Sequence, residues 1–72
     1  MTVNEILNVF NFTESRINHI EIKSKYGTTK MHIDSMPYIL KDIKEAEVSE
    51  VSTINRPCGY YTEQFLIIKI RI

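Results

Sequence analysis

The sequence predicts an α+β domain in two layers, ordered α-β-β-α-β-β, with a four-stranded antiparallel sheet of two hairpins and short helices on one face. Three observations carry this expectation. Residues 3–11 repeat apolar side chains at helical spacing, residues 17–34 alternate with a period of two on both sides of a glycine, and residues 65–72 are an isoleucine-rich run. With 72 residues there is apolar surface for one core only, so residues 1–72 are expected to form a single small domain.

In the first element Val3, Ile6, Leu7 and Phe10 make one apolar stripe, while Asn4, Glu5, Asn8 and Asn11 point elsewhere. Thr2 and Glu5 have the spacing of a capping box, in which hydroxyl and carboxylate each satisfy an otherwise orphaned amide. A helix of about ten residues is marginal alone and must be held by packing its stripe.

From Ile20 the period changes to two. Ile20, Ile22 and Ser24 share one side and His19, Glu21, Lys23 and Lys25 the other; beyond Gly27, Thr29, Met31 and Ile33 alternate with Lys30, His32 and Asp34. A turn at Tyr26-Gly27 pairs Ser24 with Thr29, Ile22 with Met31 and Ile20 with Ile33. On the reverse face the same register sets Glu21 beside His32, His19 beside Asp34, and Lys23 beside Lys30, the last a mild penalty. Gly27 supplies positive φ at little cost, and either a two-residue or a four-residue loop fits this pattern.

Pro37 in a first helical turn, with Asp34 or Ser35 as cap, predicts a helix over residues 36–43. A third strand is expected over residues 45–54. Its alternation slips, because Ala46 and Val48 are even-numbered whereas Val51 and Thr53 are odd, and a β-bulge near Ser49-Glu50 restores a common face. The run from Phe65 onward is the strongest strand and is expected at the centre of the sheet. Pairing Asn55 with Thr62 across a loop of residues 56–61 brings Val51 to Leu66, Glu47 to Lys69 and Glu45 to Arg71.

Composition excludes more functions than it suggests. Nine basic and nine acidic residues leave no long-range field for nucleic acid or anionic lipid. Cys58 is the single cysteine, so it closes no disulfide within the chain, and with two separated histidines it completes no usual zinc site. No basic stretch leads into an apolar one near Met1, and no apolar run approaches the roughly 18 residues that span a bilayer, so a cytoplasmic setting is expected. Twelve isoleucines with many lysines and asparagines fit an AT-rich coding sequence, as in a bacterium or a mobile element. Gly-rich phosphate loops, CxxC, HExxH and GxSxG are all absent from the sequence, and no cofactor and no catalysis are expected.

Several constellations remain. Arg56 beside Cys58 can favour a thiolate, but a nucleophile also needs a base that no nearby residue supplies. His19, His32, Glu21 and Asp34 have the donor types of a metal site, yet alternating ion pairs on a solvated strand give the same pattern, and no metal is expected. Lys23, Lys25 and Lys30 surround Tyr26 at the first hairpin tip, a basic patch able to follow phosphates. Arg56, Cys58, Tyr60 and Tyr61 in the second loop carry residue types that dominate binding hot spots. Phe65 and Ile67 point away from Leu66 and Ile68, so helices on one face leave them on an uncovered sheet surface, the mark of an interface.

These features lead us to expect a non-catalytic module that binds another protein, regulatory or inhibitory in role and forming a homodimer, through Arg56, Cys58, Tyr60, Tyr61, Phe65 and Ile67. The alternative is nucleic-acid binding through Lys23, Lys25, Tyr26 and Lys30.

Overall fold

The computed structural model describes residues 1–71. It has the expected α+β composition, with the elements α1 (Val3–Val9), α2 (Phe12–Ser15), β1 (His19–Ser24), β2 (Gly27–His32), a 3-10 segment (Ile33–Tyr38), α3 (Lys41–Lys44), β3 (Val48–Cys58) and β4 (Tyr61–Ile70). The four strands form one sheet in the order β2-β1-β4-β3.

Both hairpins are antiparallel, but β1 and β4 pair in parallel, so the sheet is mixed rather than wholly antiparallel. Residues 33–47 separate β2 from β3, and a connection of a dozen or more residues is what lets a chain return to start a strand in the same direction. The strands' composition sets their order. Strand β4 is apolar on both faces from Phe65 to Ile68 and takes the centre with β1, while Thr-rich β2 and Ser/Thr-rich β3 become edges. One result is that the two hairpin tips lie at opposite ends of the sheet.

In both hairpins the register differs by two residues from the one the turn chemistry suggested. In the first, the loop is Lys25-Tyr26 rather than Tyr26-Gly27, and Ser24 pairs with Gly27, Ile22 with Thr29 and Ile20 with Met31. The Ser24 hydroxyl accepts from the Tyr26 amide at 3.1 Å, and Gly27, at φ 144°, closes the turn in a region that side chains disfavour. A slip of two keeps every side chain on its face. It also replaces the Lys23–Lys30 clash by Lys23 opposite Thr28 and brings Glu21 opposite Lys30.

In the second hairpin the expected loop of residues 56–61 shrinks to Gly59-Tyr60, with Gly59 at φ 66°, and Cys58 pairs with Tyr61. Val51 therefore meets Ile68, and Glu50 rather than Glu47 meets Lys69, where the ion pair closes at 3.0 Å. The ladder is interrupted between Val48 and Glu50, the bulge that the slipped alternation predicts.

The capping box on α1 is present, with the Glu5 amide donating to Thr2 Oγ1 at 3.3 Å and the Thr2 amide to Glu5 Oε1 at 3.2 Å. This helix stops at Val9, and α2 follows as a separate turn capped by Asn11 and ended by Arg16 in the left-handed conformation. The helix expected over residues 36–43 is instead two short turns joined by extended Ile39 and Leu40. His32, not Asp34 or Ser35, caps the first of these through Nδ1. The connection must cross from one sheet edge to the other, about 14 Å at the usual strand spacing. An extended link covers such distance with fewer residues than a helix does.

The helical segments lie on the face of the sheet that carries Ile20, Ile22, Leu66, Ile68 and Ile70. Val3, Ile17, Ile39 and Ala46 complete that core. Among the described residues no helix lies over the opposite face.

Candidate interaction face

The six residues expected to bind a partner share one surface. Cys58 and Arg56 on β3 project to the helix-free face together with Tyr61, Phe65 and Ile67 on β4, and Tyr60 stands in the turn at the end of this strip. Arg56 is not a loop residue. It sits within the ladder opposite Glu63 and reaches back over the sheet.

Its target is Glu21, the centre of the face. Arg56 Nη2 and Nη1 donate to Glu21 Oε2 and Oε1 at 2.9 and 3.3 Å, a fork across the intervening strand β4. Glu21 is only 1% exposed, and Lys30 Nζ stands 3.9 Å from the same carboxylate. A buried carboxylate needs such partners, because leaving water is costly for a charge unless it is paired and hydrogen-bonded. On its way the guanidinium passes over the Phe65 ring, 4.8 Å from its centroid. The His19 ring packs on Phe65 at 4.9 Å and meets His32 edge-on at 5.3 Å.

This arrangement corrects the expectation of an uncovered apolar patch. Phe65 and Ile67 are 5% and 4% exposed, and the Arg56 guanidinium and the His19 ring lie against Phe65. The projecting part of the strip is its end, where Tyr60 is fully exposed and Tyr61 is 61% exposed. Cys58 Sγ lies 3.5 Å from Tyr61 Oη, and this thiol contact, with further help from Glu63, raises the Tyr61 pKa above its ordinary value. Beside Tyr61 a polar cleft of about 440 Å³ is lined by Arg16, His19, Thr62 and Gln64.

The histidine and carboxylate group is also rearranged. His19 faces His32 rather than Asp34, Glu21 belongs to Arg56 and Lys30 rather than to His32, and His32 Nδ1 turns to Asp34 at 3.3 Å. Among the described residues no three His, Cys, Asp or Glu side chains are placed to hold a metal ion.

The basic tip is divided. Lys23 and Lys30 project to the helix-free face, whereas Lys25 and Tyr26 form the turn, with Lys25 Nζ 5.0 Å from its neighbour's ring centroid. Lys30 is already engaged by Glu21. No helix among the described residues is long and apolar enough to cross a membrane.

Sequence reasoning grouped Glu21 with His19, His32 and Asp34 and missed its pairing with Arg56. Read along the chain it is one polar position of an alternating strand; only adjacency of β1 to β4, with β3 beyond, reveals it as the anchor of Arg56. No protein-family model, curated protein or solved structure matches this chain. Fold and face together define a small α+β protein with a mixed four-stranded sheet, helices on one side, and an ion-paired polar surface on the other.

Proposed function

We propose that the protein is a non-catalytic module that binds another protein in the cytoplasm, using the Tyr60-Tyr61 tip and the strip of Cys58, Arg56 and Phe65 behind it. The observation that carries this reading is the exposure of two adjacent tyrosines at the end of a ladder made stiff by the Arg56–Glu21 fork. Exposed tyrosines on a rigid support offer large contact area at little entropic cost, the property that makes them binding anchors.

The test is capture from the native host with a photo-crosslinking residue at position 62, comparing the parent chain with the Tyr60→Ala/Tyr61→Ala variant. We expect a discrete crosslinked protein whose affinity falls about 30-fold or more in the variant, the loss of a hot spot worth ~2 kcal/mol. Stability should change by no more than about 0.5 kcal/mol per residue, since both side chains are exposed. Capture that is indifferent to both tyrosines refutes the proposal.

The rival reading, nucleic acid on Lys23, Lys25, Tyr26 and Lys30, makes the opposite forecast. With zero net charge and Lys30 paired to Glu21, the chain is expected to pass through a single-stranded DNA or RNA column at physiological salt. Retention that disappears in Lys23→Glu/Lys25→Glu and weakens steeply with salt would establish the rival instead.

A further inference from the structure

The outer edge of β3 changes character along its length. At one end Val48 donates its amide to Met1 O at 2.7 Å and Val3 donates to Ala46 O at 3.1 Å, so the segment Met1–Val3 covers the edge there. The bulge at Ser49 reverses which residues face outward. Beyond it the outward backbone groups belong to Val51, Thr53, Asn55 and Pro57. The other end of the strand gives the same assignment, because the two-residue turn makes Cys58–Tyr61 an inward hydrogen-bonded pair and every second residue from Cys58 inward as well. Pro57 has no amide to offer, which leaves three residues with both groups free among the described residues.

Edge strands are ordinarily blunted by charge, proline or a cover. Here residues 51–55, Val-Ser-Thr-Ile-Asn, carry no charge, and three of the five are β-branched. All but Ile54 are exposed. The three free residues are symmetric about Thr53. An antiparallel match of two such edges centred there pairs Thr53 with itself and Val51 with Asn55, so that every free group is used. The same register sets Ser52 opposite the partner's Ile54 and Glu50 opposite the partner's Arg56, each of these two charges already neutralised within its own chain by Lys69 and Glu21, so like charges meet nowhere.

We propose that this edge is a homodimer interface, in which two copies join β3 to β3 about Thr53 and the two sheets become one of eight strands. The edge is self-complementary in hydrogen bonding about Thr53 and meets no like charge in this register, which selects a second copy over an unrelated strand. Neither tyrosine takes part, so the interface stands apart from the binding tip.

Two copies of Thr53 in this register have Cα atoms about 5.5 Å apart, within disulfide range. Thr53→Cys in a Cys58→Ser background should therefore oxidise to a covalent dimer at low protein concentration, whereas Thr28→Cys on the opposite edge should not. Sedimentation of the unmodified chain should show a dimer that dissociates on dilution, and Thr53→Lys should raise the dissociation constant about tenfold or more by placing like charges face to face. Tyr60→Ala/Tyr61→Ala should leave the dimer intact. A parent chain that stays monomeric at millimolar concentration overturns the proposal, as does crosslinking at position 28 equal to that at position 53.

Discussion

Arg56→Ala is expected to cost about 3–5 kcal/mol, one of the two largest losses from a single substitution in this protein. The cost arises less from the fork itself than from what remains after it is gone. Glu21 would stay buried with only Lys30, at 3.9 Å, near one of its oxygens, and the Phe65 ring would lose its cover. A chain of this size holds roughly 4–11 kcal/mol in total. A loss of ~3 kcal/mol lowers its melting temperature by about 12–24 °C, a shift that calorimetry or circular dichroism reads directly.

Comparison with the double variant separates pairing from packing. In Glu21→Met/Arg56→Met neither charge remains, and similar volume is kept over Phe65, so stability should return to within about 1–2 kcal/mol of the parent or exceed it. Arg56→Lys should fall between, because an ammonium cannot reproduce the two-pronged contact. If Arg56→Ala melts with the parent, the fork does not form in solution and the stiffness invoked for the tyrosine tip loses its basis.

The same ion pair marks how far the sequence could be read. Features governed by near neighbours were legible: the capping box of Thr2 and Glu5, both hairpins, the bulge beside Ser49 and the central place of β4. Each rests on a periodicity or a short spacing. Register failed by two residues in both hairpins for one reason. Turn preference was assigned to the most turn-like residues, whereas moving the first turn to Lys25-Tyr26 and extending the second ladder to a two-residue loop improve the charge pairing of Glu21 and of Glu50.

Strand direction at the centre was lost because alternation carries no sign. An isoleucine on β1 packs on its face equally well whether β4 runs parallel or antiparallel. The length of the connection over residues 33–47 was the available signal. The candidate face suffered similarly. Residue type grouped Arg56, Cys58, Tyr60 and Tyr61 in a loop and strand parity grouped Phe65 with Ile67, but the place of Arg56 within β3 was not legible, because Arg56 and Glu21 stand 35 residues apart and meet only across β4. Large apolar residues on a helix-free surface suggested an interface; long polar side chains laid over them gave a cover within one chain.

Ile67 and Ile68 offer a matched measure of the two faces. They are neighbours on the same strand with the same side chain, and both are almost wholly buried, at 4% and 0% exposure. Ile68 lies in the layer closed by the helical segments, between Ile22 and Val51 in register. Ile67 lies between buried Glu21 and exposed Ser52, on the face without a helical layer. Truncation to alanine removes the same atoms from each, so the loss from reduced apolar burial is common to both. The remaining cavity is not. Around Ile68 the packed layer relaxes little and the gap persists, which places Ile68→Ala near 4 kcal/mol, toward the upper end for such changes. Around Ile67 no helical layer seals the site, so the space opens toward solvent on the Ser52 side, and Ile67→Ala should cost about 2 kcal/mol. Urea denaturation of the two variants measures the difference, with equal slopes required for the comparison to hold. Equal losses would mean that the ion-paired face is packed as tightly as the helical one, and the division of this sheet into a closed core and a polar-covered surface would have to be abandoned.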